Sequence, residues 1–379
     1  MEIDVEQSYS FGARWIFSML GSPLENHWIN VANNRVESVS DKPAHVSKQF
    51  FGDDSIILPA VINAHTHLEL SQLESAPLDV SSRSMSDWVM ALLVFRRSSA
   101  YNAAYGIQQA VRRPELLKST AAVADIVPPT LPVVDWDISP VKWLPFAELI
   151  AWRNELVDKK LTEISHVFGL SPHAPHTVCQ TLLEKTVNKK KPIAMHLAET
   201  MEELQLLRHH TGPLLVMMRH ADSDYDPKSV LMGKRPMDYL QLLSAAPQAF
   251  IIHGNYLDDE ELQFLAAHRE TMSVVYCPRS HTYFRHTPYP LQKMLDYGVR
   301  VLLGTDSLAS VPDLSLVEEM QFVLKRHSTV SADIVYRMGT WDGAAALGLI
   351  QDKFGTIQSG SPARFAVFHS VKHPPLNVT

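Results

Sequence analysis

From residue 55 onward, apolar residues come in short continuous runs, each followed by a longer stretch where they recur every three or four positions. The runs span 56–64, 121–127, 142–149, 166–170, 192–196, 249–253, 273–276 and 300–303. Such runs read as strands buried on both faces, as in a parallel sheet covered by helices. Helices are predicted at 86–100, 146–160, 178–188, 201–208, 258–268, 290–297, 314–327 and 332–347, and 100–118 reads as one helix or two. Eight strand–helix units predict a (β/α)8 TIM barrel over residues 56–349. Ahead of it, β-prone stretches at 13–19, 27–32 and 36–39 are separated by Gly-Ser-Pro and Asn-Asn turn signals. Residues 354–368 return to the same strand-and-turn character. The two ends, 1–55 and 350–379, are therefore expected to join as a small β-sandwich domain flanking the barrel.

Composition narrows the function classes. The 379 residues carry 34 Lys+Arg against 41 Asp+Glu, a net charge of −7 with no basic block. That leaves no electrostatic footprint for nucleic acid or an anionic membrane. Cys179 and Cys277 are the only cysteines, too few for a disulfide framework or a cysteine zinc cluster. The start, MEIDVEQSYS, lacks the basic and apolar segments of a signal peptide, and no apolar run has bilayer length. The expectation is a cytoplasmic protein acting on a small molecule. A homodimer is compatible with exposed barrel helices and a flanking β-domain.

Histidine is the anomaly, with 18 in the chain. In a barrel of this kind, functional side chains project from the C-terminal ends of the strands. The first run ends in Asn63-Ala-His65-Thr-His67, the fifth in His196-Leu-Ala-Glu199, the sixth in His253 and the eighth in Gly304-Thr-Asp306. Strand alternation sends i and i+2 to one side, so His65 and His67 can reach one ion together. A lone histidine at a strand end is ordinarily a hydrogen-bonded structural residue. Here the groups fall at the ends of strands inferred independently from apolar texture. Imidazoles and a carboxylate converging on a barrel mouth suit Zn2+ or Fe2+.

The segments LPAVINAHTHLELS, SPHAPHTV, HLAETMEELQLL, HGNYL, CPRSHTYF and GTDSLAS resemble the amidohydrolase superfamily. The branch is the one holding cytosine-, guanine- and adenosine-type deaminases and the triazine hydrolases. The resemblance implies that His65, His67, His196 and Asp306 ligate one divalent ion, Zn2+ in the first place and Fe2+ as the alternative. It implies Glu199 as proton shuttle, His253 as the residue that polarises the attacking water, and Asp306 as acceptor of the water's proton. Two-metal members carry a lysine on strand four; the corresponding run, HVFGLSPH, has none, which implies a single metal.

Around the site, Glu69, Trp88, His173, Arg279 and His281 are expected to bind substrate, with Arg279 gripping a carboxylate and Trp88 stacking on a flat ring. HTHLELS, SPHAPHTV and CPRSHTYF together resemble deaminases of aminodeoxyfutalosine, an adenine nucleoside with a carboxybenzoyl group in one bacterial route to menaquinone. The expected activity is a mononuclear hydrolytic deaminase of an aminated purine nucleoside. S-adenosylhomocysteine or adenosine deamination is the alternative, and triazine- or guanine-type hydrolysis or dechlorination a more distant one.

Overall fold

The computed structural model describes residues 8–73, 84–131, 141–164 and 166–369. The last part of the expected C-terminal segment, 370–379, lies outside them. Five strands open the chain: β1 (Tyr9–Ile16), β2 (Leu24–Ala32), β3 (Arg35–Ser40), β4 (Lys48–Phe50) and β5 (Ser55–Pro59). Eight more form the barrel: β6 (Val61–Thr66), β7 (Thr120–Val127), β8 (Lys142–Leu149), β9 (Gly169–Pro172), β10 (Ile193–Leu197), β11 (Ala249–His253), β12 (Met272–Tyr276) and β13 (Val301–Leu303). A final strand, β14 (Phe365–His369), returns to β5 and completes a separate six-stranded sheet built from both ends of the chain.

The barrel strands pair in parallel in unbroken sequence order from β6 to β13. Alternation divides their side chains between two cores. Ile62, Ala64, Phe146, Ala194, Phe250, Ile252 and Leu302 share one buried cluster. Their neighbours Val61, Met195, Leu197, Ile251, Val301 and Leu303 pack with helical Leu183, Leu207, Leu240, Leu265 and Met320 in another. The first cluster is the barrel's interior and the second its helical jacket. The seam between the eighth and first strands closes at one bridge, Thr66 to Asp306. Asn63 secures it: its amide nitrogen donates to Thr305 Oγ1 at 2.8 Å, and its oxygen accepts from the Thr305 N–H at 3.2 Å. Gly304 permits the close approach, since a Cβ there would sit 2.9 Å from both His65 Cβ and the His65 carbonyl oxygen.

Three expectations are corrected. The run at 56–64 is two strands: β5 belongs to the terminal sheet, and the chain crosses to the barrel at Ala60. Both strands are buried throughout, so apolar texture alone cannot divide them. The helix expected at 146–160 shrinks to Val157–Thr162, because Phe146 and Ala147 are spent on β8. The helix expected at 332–347 breaks into Ala332–Met338 and Trp341–Ala346 at Gly339-Thr340, where the Thr340 backbone leaves the helical region (φ −133, ψ −91). Among the described residues, no helix is long and apolar enough to cross a membrane.

Candidate metal centre and acid–base site

His65 and His67 leave the end of β6, where the strand's register with β7 shifts between Asn63 and Thr66. His196 lies in β10 and belongs with Ala194 to the interior-facing set. His253 ends β11, where alternation would send it outward with Ala249 and Ile251. Its φ of 67° breaks that alternation and turns the ring into the mouth. Asp306 (φ 63°) and Ala198 (φ 53°), which follow β13 and β10, adopt the same left-handed conformation. Non-glycine residues with positive φ carry strain that clusters at functional sites.

These turns bring the imidazoles together. His65 lies 4.9 Å from His67, 5.1 Å from His196 and 5.8 Å from His253, centroid to centroid. The Asp306 Oδ1 is 3.7 Å from His65 Nε2 and 3.9 Å from His67 Nε2. Two triads have ligand atoms all within 4.8 Å of one another: His65, His196 and His253, and His65, His67 and Asp306. Both ring nitrogens of His65 and Nδ1 of His67 are buried with no hydrogen-bond partner among the described residues. Buried polar atoms are ordinarily satisfied, and a divalent cation is a partner that satisfies several lone pairs at once. His196 is already oriented for one. Its Nδ1 meets the His173 carbonyl at 3.1 Å, a bond that requires the proton on Nδ1 and leaves the Nε2 lone pair free.

The electrostatics agree with that donor set. Burial first, and the neighbouring histidines with it, holds His67, His196 and His253 well below the ordinary imidazole range, so the rings are neutral. For Asp306 burial works upward, but the facing His65, His253 and His67 outweigh it and hold the carboxyl well below the usual carboxylate range, ionised. Neutral imidazoles and a carboxylate are the donors that Zn2+ or Fe2+ takes. The residues present fit such an ion.

Glu199 stands beside the cluster, its Oε1 3.4 Å from His253 Nε2. Burial first, then the charges of Asp306, Glu203 and Glu202, raises its carboxyl well above the usual range. Sequence reasoning missed the residue that shapes this turn. Buried Glu203 accepts from the Ala198 N–H at 2.7 Å and the Glu199 N–H at 3.3 Å, while Asn255 donates to the Glu199 carbonyl at 2.9 Å. The acidic repeat in ETMEE was the available signal.

The expected substrate residues divide. His173 stacks obliquely 5.1 Å from His196 and is held by Thr177 Oγ1 at 2.8 Å, so it joins the cluster. Glu69 is buried on the turn after β6. Its Oε1 accepts from Arg96, whose other nitrogen lies 3.6 Å from Glu148, and its Oε2 has no partner among the described residues. Burial raises Glu69 to about 7 against the opposing pull of Arg96. His281 sits among Tyr276, Tyr289 and His286. Trp88 packs edge-on against Phe284 and donates to the Ala309 carbonyl at 3.3 Å, buried in an apolar cluster with Leu70 and Leu92.

Arg279 departs from its expected role. Its Nε donates to Glu319 at 2.6 Å, and its two terminal nitrogens reach Asp313 at 2.8 and 2.9 Å. The carbonyls of Asp313 and Ser315 take further bonds at 3.1 and 3.2 Å. The guanidinium is committed to the segment after β13 rather than held open for a substrate carboxylate. Arg279→Met strands the fully buried Glu319, a loss expected to cost about 3 kcal/mol in chemical denaturation. The variant is expected to leave the preference between carboxylated and neutral substrates unchanged, as competition kinetics would report.

The amidohydrolase family matches residues 144–378, a stretch that includes His196, Glu199, His253 and Asp306. Among curated relatives, a 5-methylthioadenosine/S-adenosylhomocysteine deaminase of Pyrococcus abyssi is 27% identical over 374 residues, covering 91% of this chain and 79% of its own. An adenosine deaminase of Helicobacter pylori is 26% identical over 355 residues, covering 88% of this chain and 83% of its own. Among solved structures, the Helicobacter pylori aminofutalosine deaminase in complex with methylthio-coformycin superposes with a TM-score of 0.79 over 97% of this chain and 93% of that one. Its 22% identity speaks for the fold alone. On the match to its C-terminal three-fifths and the barrel that carries it, the chain belongs to the amidohydrolase family, metal-dependent hydrolases acting on carbon–nitrogen bonds other than peptide bonds.

Proposed function

We propose that this chain is a mononuclear hydrolytic deaminase of an adenine nucleoside. It adds water to the amine-bearing ring carbon, expels ammonia and leaves a carbonyl. The observation that carries the reading is a buried acid, Glu199, 3.4 Å from His253 at the edge of a cluster of unsatisfied imidazoles. The names of the Pyrococcus and Helicobacter relatives support it.

His65, His67, His196 and Asp306 would hold one divalent ion, Zn2+ before Fe2+. Such an ion, when bound, supplies Lewis acidity that makes water nucleophilic near neutral pH. A second ion has no lysine bridge from β9, whose residues are Gly-Leu-Ser-Pro. Asp306, ionised in the mouth, accepts the water's first proton, and His253 orients the attacking oxygen. Attack pushes charge onto the adjacent ring nitrogen, which Glu199 protonates. The carboxylate left on Glu199 takes up the adduct's hydroxyl proton as the carbonyl forms, and the proton held by Asp306 passes to the departing amine, so both carboxyls return to their starting states. His173 and Glu69 face the nucleoside, Glu69 offering its free Oε2 to a hydroxyl.

Among 5′ substituents, the resemblance of HTHLELS, SPHAPHTV and CPRSHTYF favours the aryl carboxylate of aminodeoxyfutalosine, but Arg279, the expected clamp for it, is bound to Asp313 and Glu319. A neutral thioether such as that of 5′-methylthioadenosine needs no cation there. The test is to offer adenosine, 5′-methylthioadenosine, S-adenosylhomocysteine and aminodeoxyfutalosine to the zinc-loaded protein and measure ammonia together with the change in adenine absorbance. At least one is expected to turn over with kcat/KM of about 10⁴ M⁻¹s⁻¹ or more. Turnover of triazines or guanine with none of these nucleosides overturns the proposal.

A further inference from the structure

The two oxygens of the Asp306 carboxylate have different surroundings. Oδ1 faces His65 and His67 at 3.7 and 3.9 Å. Oδ2 accepts two hydroxyl hydrogen bonds, from Ser280 Oγ at 2.6 Å and from Ser310 Oγ at 3.0 Å. Both serines are buried. Ser280 belongs to the short helix Pro278–Tyr283 after β12, and Ser310 lies four residues past Asp306 itself. The Ser310 hydroxyl has a second, longer acceptor in the Ser307 carbonyl at 3.3 Å. The main chain of Asp306 is fixed as well: its N–H donates to the His65 carbonyl at 3.2 Å, and its own carbonyl accepts from Thr66 Oγ1 at 2.9 Å.

We infer that Ser280 and Ser310 are positioning residues that present Asp306 to the metal through Oδ1 alone. The inference rests on the reading of Asp306 as a ligand. A carboxylate beside a divalent ion can offer one oxygen or two, and rotation about Cβ–Cγ exchanges them. Two hydroxyl protons on Oδ2 offset its charge and fill its lone pairs. Rotation would break both bonds and bury two hydroxyls without their acceptor, a cost that applies to each stranded group. The carboxylate is thereby kept in one rotamer, and the space a second oxygen would take is left for water and substrate. Partners of this kind, one bond removed from the ion, typically change metal affinity 10- to 100-fold when lost.

The test uses the full chain with Ser280→Ala, Ser310→Ala and the double variant. Zinc affinity is read by competition with a chromophoric chelator, kcat and KM at saturating zinc, and thermal unfolding on the metal-free form. Each single variant is expected to lose about 10-fold in zinc affinity and the double variant about 100-fold. KM is expected to stay within about twofold while kcat falls, because the serines act on the ligand rather than on the substrate. The single variants carry the comparison if the double variant does not fold. Zinc affinity within about threefold of the parent in the folded variants overturns the inference and leaves the deaminase reading intact. A parent protein that binds no stoichiometric zinc or iron overturns both.

Discussion

Replacing Glu199 by glutamine is expected to lower kcat by about 10²–10⁴-fold, the usual contribution of a positioned general acid–base, with bound metal unchanged. The substitution keeps the side chain's size and its capacity to face His253, and removes only the exchangeable carboxyl proton. The backbone of this residue is tied independently of its side chain, through Glu203 on one side and Asn255 on the other, so the turn should survive. Glu199 contributes to neither cluster of ligand atoms, so metal content isolates its role from that of the histidines. Burial, with Asp306, Glu203 and Glu202 nearby, favours the protonated carboxyl. Protonation is what a donor to the ring nitrogen needs. Metal analysis alongside single-turnover ammonia release checks the prediction, and retained deamination in the glutamine variant would remove Glu199 from the mechanism.

How far the sequence could be read depended on where each residue's partners lie. Strand 249–253 was legible to the residue because both its faces are buried, whereas 142–149 had helical periodicity competing for Phe146 and Ala147. The boundary at Ala60 was not legible, because β5 and β6 are equally buried and differ only in which sheet they join. The imidazoles were legible since each ends a strand, and a barrel directs strand ends to one mouth. What fixes them was hidden. Arg279 has the residue type of a carboxylate clamp, and its position after β12 suggested the mouth. Its partners come from 34 and 40 residues further along, and only the folded eighth unit places them against it. The roles of Glu203, Ser280 and Ser310 were hidden for a related reason: a serine or glutamate acquires its role from the carboxylate or N–H it meets across a turn, and spacing alone names neither. The outward parity of His253 shows the opposite limit. Alternation alone would point its ring outward, and the left-handed backbone that turns it into the mouth carries no signature in composition.

Stripping the metal with a chelator is expected to abolish turnover and to lower thermal stability, and both should return on adding Zn2+ or Fe2+. The folded cluster is organised around buried nitrogens that an ion would satisfy: among the described residues, His65 has two without a partner and His67 one. His67 does not relieve this by taking up a proton, because burial and the neighbouring histidines hold it, like His196 and His253, well below the ordinary range. An ion that binds the folded form alone adds RT ln(1 + [L]/Kd), about 3–4 kcal/mol when free metal exceeds Kd by 100- to 1,000-fold. For a chain of this size that corresponds to a fall in Tm of about 4–5 °C on chelation. The same arithmetic separates ligand from neighbour. Asp306→Asn, which keeps the shape but removes the ionised donor, should abolish the metal-dependent part of the stability and leave the variant insensitive to chelator. Glu199→Gln should retain that part in full. Differential scanning calorimetry of the parent and the two variants, each with and without chelator, makes the comparison. An Asp306→Asn variant that still loses several degrees on chelation would place the ion elsewhere than between β6, β10 and β13.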